Sequence, residues 1–215
     1  MGDRPRDYFR DPRYEMIGFI PENAKKILDV GCGEGFFAYQ LKKQMDAKIW
    51  GIEIDRAVAA LAQKKLDRVL IGDISKVIDE VPNTYFDCVV FNDILEHLID
   101  PFTILLRTKK KLNKSGVVVS SIPNIRYYDQ VKKLLLKKEW KYEDSGILDR
   151  THVRFFTKKS IIDLFESAGY DILNISGINP TKSKNYRLLN LLLLGRISDM
   201  KYFQFACIAK PGDMK

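Results

Sequence analysis

Hydrophobic and polar positions along this chain switch repeatedly between two periods. Apolar runs of strand length fall near residues 25–30, 48–53, 68–71, 86–91, 116–121, 171–176 and 202–209. Between them lie amphipathic stretches of helical spacing near 36–45, 56–66, 101–112 and 158–168. This alternation predicts an α/β fold with a mainly parallel sheet covered by helices on both faces. Thr157 is placed to cap the last helix and Gly169 to end it.

Three segments stand outside that pattern, within what is expected to be one domain over residues 1–215. Residues 1–24 carry Tyr8, Phe9, Tyr14, Met16 and Phe19 and are expected to pack as a lid over a ligand mouth. An insertion over 123–156 holds a helix around Arg126 to Lys138 and the aromatic pair Trp140 and Tyr142. Open α/β sheets bind ligands beyond the carboxyl ends of their strands, and this insertion leaves from that edge, so it is expected to line a substrate pocket. A second insertion, 179–200, holds Leu188, Leu189 and Leu191 to Leu194. A segment apolar nearly all round is expected in the core or in a homodimer contact, with shallow membrane contact as the alternative.

The turn after the first strand carries the most chemistry. Gly31, Gly33 and Gly35 lie between a short apolar strand and a helix starting near Phe36. Glycines there let backbone approach a ligand closely. The dinucleotide pattern G-x-G-x-x-G is not met: the third glycine arrives one residue early, and Glu34 sits inside the turn. A carboxylate opposes a pyrophosphate and suits a positively charged ligand, which argues against NAD.

Composition adds few constraints. A 46% hydrophobic and 30% charged share describes an ordinary globule of 215 residues. No signal peptide is expected, and no apolar run approaches the roughly 20 residues of a membrane span. Cys32, Cys88 and Cys207 are dispersed, show no zinc spacing, and are expected to be reduced buried thiols of a cytoplasmic protein. The net charge of +8 comes from clusters, Lys109 to Lys111 with Lys114, and Lys132, Lys133, Lys137, Lys138 and Lys141. These are either solvated helix ends or a basic rim that attracts an anionic acceptor.

Asp29 to Gly35, reading Asp-Val-Gly-Cys-Gly-Glu-Gly, resembles motif I of the class I S-adenosylmethionine-dependent methyltransferases. Glu53 closing the second strand, Gly72-Asp73-Ile74 after the third, and Phe86 to Pro101 around the fourth match the same superfamily in order. The resemblance implies a Rossmann-like seven-stranded sheet with its last strand antiparallel, and S-adenosyl-L-methionine as cofactor. It implies that Asp29 and the backbone of Gly31, Cys32, Gly33, Glu34, Gly35 and Phe36 face the methionine moiety. By the same resemblance Glu53 accepts both ribose hydroxyls, Asp73 reads the adenine amino group, Ile54 and Ile74 sandwich the ring, and Asn92 lines the methionine end. Structural alternatives are a turn carboxylate for Asp29 and a solvated strand end for Glu53.

Ser121 to Asn124 and Gly146 to Thr157 resemble a bacterial group of these enzymes that occurs with or fused to glycosyltransferases of surface-polysaccharide assembly. That likeness implies O-methylation of a sugar hydroxyl in a glycan or nucleotide-sugar, and a glycosyltransferase partner. A phenol- or quinone-methylating enzyme shares the core and is the runner-up. A third reading is a silent cofactor-binding subunit. The lysines also prompt an RNA-modifying reading, but Asn92-Asp-Ile-Leu replaces the Asn-Pro-Pro-Tyr of base-amine methyltransferases, so no specific nucleic acid is expected. A hydroxyl acceptor calls for a base near neutral pH, and the candidates are His97 and His152, the latter oriented by Asp149. Each has a structural alternative, His97 as a turn-stabilising residue and His152 as a loop anchor. Asn124 is a candidate for an acceptor hydroxyl or a loop cap; Arg150 and Arg154 are candidates for a phosphate or for local carboxylates such as Asp149. No metal site is expected.

Overall fold

A computed structural model describes residues 9–212. Seven strands form one sheet in the order β3-β2-β1-β4-β5-β7-β6. They are β1 (Lys26–Val30), β2 (Lys48–Glu53), β3 (Arg68–Ile71), β4 (Phe86–Asn92), β5 (Leu112–Pro123), β6 (Tyr170–Pro180) and β7 (Tyr202–Pro211). The pairs among β1 to β5 are parallel, while β7 runs antiparallel to both of its neighbours, β5 and β6. The expected sheet and its reversed last strand are present. The helices are α1 (Tyr14–Ile17), α2 (Phe36–Gln44), α3 (Arg56–Ala62), α4 (Ile74–Val77), α5 (Pro101–Lys109), α6 (Tyr128–Lys132), α7 (Lys158–Ser167) and α8 (Lys184–Leu192).

Alternate residues of the central strands serve the two faces, which is why those strands read as continuous apolar runs. Leu28, Val30, Val89, Phe91, Phe165 and Phe205 belong to one core cluster, and Ile27, Ile49, Cys88, Val90, Phe37 and Leu41 to the other. All three cysteines are free and buried. Local chemistry sets the helix starts. Asp55 accepts from the amides of Ala57 and Val58, Asp100 accepts from Thr103 with Pro101 opening α5, and Thr157 forms a capping box with Ser160. Gly169 follows α7 in the left-handed region, at φ +72°, as expected of a helix terminator.

Several boundaries differ from the sequence reading. α3 stops at Ala62 and β6 runs on to Pro180; α5 stops at Lys109, because Leu112 already pairs with Phe86 as the start of a longer β5. The insertion helix is α6 followed by a π-helical turn over Lys133–Lys137, ended by Lys138 at φ +58°. The leucines at 188–194 are not core: Leu191, Leu192 and Leu194 stand exposed, and only Tyr186 of α8 is buried. Among the described residues no helix is long and apolar enough to cross a membrane.

Candidate active site

The strand order reverses between β1 and β4, and the crevice beyond their carboxyl ends is the favoured ligand position in such a sheet. The glycine turn forms its floor. Gly31 has φ +72° and lies against Ile94, leaving no room for a Cβ. At Gly33, with φ +54°, a Cβ would sit 2.8 Å from the carbonyl oxygen of Phe9. Every amide N–H from Gly31 to Gly35 is already engaged. Gly31 and Cys32 donate to Ile52, Gly33 donates to the Glu53 carboxylate, Glu34 donates to Phe9, and Gly35 donates to Cys32. The turn therefore keeps none of these donors for a pyrophosphate, in agreement with the reading against a dinucleotide.

Segment 9–13 contacts the glycine turn and the end of β4; Tyr8 lies outside the described residues. Arg10 ion-pairs with Glu34 at 3.1 Å. The charge of Glu34 is thus answered by the protein's own guanidinium. Arg13 ion-pairs with Asp93 and donates to Ser121 at 3.0 Å, while Gln204 also donates to Asp93. Four parts of the chain are thus tied together over the crevice.

The remaining residues sort by what they leave unsatisfied. Asp29 on β1 is 2% exposed, and its Oδ2 has no hydrogen-bond partner among the described residues. Burial, with Glu53 nearby, pushes its pKa up to about 8. Asn92, ending β4, leaves both amide atoms buried and unpartnered. Such orphaned groups are rare in folded proteins and mark places where ligand atoms complete the bonding. Glu53 accepts from the amides of Gly33 and Asp55 at 3.0 and 2.9 Å, which leaves each oxygen a second lone pair, and burial raises its pKa. Asp73 caps α4 through the Ser75 amide. Ile54 is half exposed, whereas Ile74 is packed in the core. Cys32 is buried against Gly51, and the Phe36 ring lies 4.6 Å from the Lys65 ammonium.

A second cluster follows β4. The 3₁₀ turn Leu95–His97 receives the returning end of the first insertion, where the amides of Val153 and Arg154 both donate to the Glu96 carbonyl. This pairing brings His97 and His152 together with ring centroids 4.6 Å apart, and sets Nε2 of His152 3.8 Å from Oε1 of Glu96. One ligating atom from each of Glu96, His97 and His152 lies within 4.8 Å of the others, a donor set able to hold a divalent cation or to pass a proton.

The hydrogen bonds fix the tautomers. Nδ1 of His152 lies 2.9 Å from the Ile147 carbonyl, which accepts only, so this nitrogen carries the proton. Nδ1 of His97 faces the Thr151 carbonyl and its hydroxyl, whose own proton goes to Asp149. Glu96 is fully buried and its pKa is pushed up to about 8 by desolvation.

Oε1 of Glu96 lies 3.8 Å from Nε2 of His152, and Asp149 accepts from the amide and hydroxyl of Thr151. One expectation is corrected here. Asn124 is fully buried and anchors its loop, donating to the carbonyls of Asp199 and Tyr202 and accepting from Arg126, so it has the loop-capping role. Arg150 pairs with Asp144 rather than Asp149, and Arg154 donates to the Ile99 carbonyl. Glu96 was missed by the sequence reading, and its only cue there was adjacency to His97.

A family model described as a methyltransferase domain matches residues 3–175. An uncharacterized methyltransferase of Mycobacterium bovis is 33% identical over 118 residues, covering 52% of this chain and 58% of that protein. The match thus spans little over half of that relative's length. A ubiquinone biosynthesis O-methyltransferase of Aliivibrio fischeri is 27% identical over 209 residues, covering 86% of this chain and 81% of that protein. The fold is shared with a SAM-dependent methyltransferase of Archaeoglobus fulgidus at a TM-score of 0.68 and 20% identity, covering 96% and 94% of the two chains. The orphaned Asp29 and Asn92 groups and the occupied turn amides fit an adenosyl sulfonium donor with an ammonium group and no phosphate. With that fit and the family match over residues 3–175, the chain belongs to the methyltransferase-domain family.

Proposed function

We propose that this enzyme methylates a hydroxyl oxygen, with His97 as proton acceptor and the buried Glu96–His152 pair behind it. The observation that carries this is the convergence of the three side chains directly after Asn92, beside the donor crevice. Bound S-adenosylmethionine supplies an electrophilic methyl group on sulfonium. The residues of the chain hold the acceptor hydroxyl in line, keep water away and take its proton. His97 is the more open of the two histidines, and its Nδ1 is held by Thr151, which leaves Nε2 to take the acceptor's proton.

A phenolic acceptor is supported by the Aliivibrio fischeri relative, which aligns with most of the chain. A sugar acceptor is the second reading. It draws on the aromatic group around Phe155, where Trp140 lies 5.5 Å away and His152 6.4 Å away, a surface suited to a sugar face as well as a phenol.

Release of S-adenosylhomocysteine would be followed with ortho-hydroxylated phenols and with nucleotide-sugars. For the accepted substrate, His97→Ala is expected to lose about 10²–10⁴ in turnover while keeping donor affinity, with partial recovery at high pH. Unchanged turnover would remove the base from the account. Inhibition by a chelator, reversed by a divalent cation, would reassign the cluster to metal ligation.

A further inference from the structure

Both insertions leave the sheet at its carboxyl edge, after Pro123 of β5 and Pro180 of β6, and their helices meet. The rings of Tyr128 and Tyr186 contact edge to face at 5.6 Å, and with Met200 they make a small cluster separate from the main core. On the outside of this cap the leucines are bare. Leu135 and Leu136 are 70% and 73% exposed beside α6; Leu191, Leu192 and Leu194 are 73%, 70% and 86% exposed at the end of α8. Trp140 and Tyr142 add half-exposed rings. Scattered apolar residues are ordinary on a surface, but two exposed leucine runs on helices joined by a ring contact are not.

The charges around these leucines are mostly positive, although Lys133 is paired with Glu143. Lys132, Lys133, Lys137, Lys138 and Lys141 flank the first run and are all exposed, with Glu139 the only acid between them. The second run is flanked by Lys182, Lys184, Arg187 and Arg196, with no acid from 181 to 198. We propose that the α6–α8 cap docks on an anionic lipid surface, its leucines entering the headgroup boundary and its lysines and arginines meeting the phosphates. A second copy is the poorer occupant, because an isologous contact would set this basic patch against itself. Docking stands apart from the acceptor reading. It places the crevice edge near the membrane whichever hydroxyl is methylated.

The test is flotation of the whole chain with vesicles of neutral phosphatidylcholine, and with vesicles that also carry phosphatidylglycerol. Binding is expected only to the anionic vesicles, weakening with salt and falling about fivefold for each cation removed, as in Lys137→Gln or Arg187→Gln. The pair Leu192→Ser and Leu194→Ser is expected to lose at least about tenfold. Calorimetry with S-adenosylhomocysteine should give wild-type affinity for every variant, showing an intact fold. Absence of binding, equal binding to neutral vesicles, or leucine variants that bind like wild type would each overturn the proposal. A self-association that the leucine changes abolish, without vesicle binding, would hand the surface to a second copy.

Discussion

Replacing Asp29 by asparagine keeps the shape of the side chain and removes its charge. In the free protein burial holds the Asp29 pKa at about 8, so at pH 7 the carboxyl keeps its proton about nine-tenths of the time. Ionising it there costs about 1.4 kcal/mol, a factor of about ten. A donor ammonium beside it reverses the preference, so binding at pH 7 should expel close to one proton. Calorimetry with S-adenosylhomocysteine in two buffers of different ionisation heat counts that proton. Relative to Asp29→Asn, which reports the ligand's own titration, wild-type affinity should rise about tenfold per pH unit from 6 to 8 and level off above. At pH 8 the variant should bind more weakly by about 2–5 kcal/mol, having left an ammonium without its partner. Equal proton counts, or parallel pH profiles, would refute the assignment of Asp29 to the donor.

Gly33→Ala forces a side chain into a left-handed conformation against Phe9, at about 1–3 kcal/mol. Weaker donor binding and faster tryptic cleavage at Arg10 and Arg13 are the expected readouts. Phe165 is fully buried against Tyr170, and Phe165→Ala should cost about 3–5 kcal/mol in denaturant unfolding. Glu96 binds its proton more tightly folded than unfolded, so its stabilising contribution is complete below about pH 4.5 and lost as pH rises through about 8. Thermal unfolding from pH 5 to 9 should show this decline, and Glu96→Gln should flatten it.

The sheet was legible because buried parallel strands are continuous apolar runs, and because the caps at Thr157 and Gly169 depend on local chemistry. The turn chemistry was also local: Glu34 inside the glycines spoke against a phosphate before any amide was placed. What could not be read depended on distant segments. Glu96 and His152 are 56 positions apart, and contacts between the two segments, such as Val153 and Arg154 with the Glu96 carbonyl, bring them together. Arg10 answers Glu34 across 24 positions, a pairing that periodicity does not register. At 188–194 composition pointed inward, yet the fold offers that segment just one buried anchor, Tyr186.

The position of β7 governs how the molecule can be made. It is the last strand in sequence, yet it sits between β5 and β6 and supplies the ladder to both. While residues 202–211 are still inside a ribosome, β5 has a raw edge and β6 has no place in the sheet. Closure must therefore wait for the final strand to emerge. A truncation before Tyr202 should yield an aggregating product rather than a smaller working enzyme.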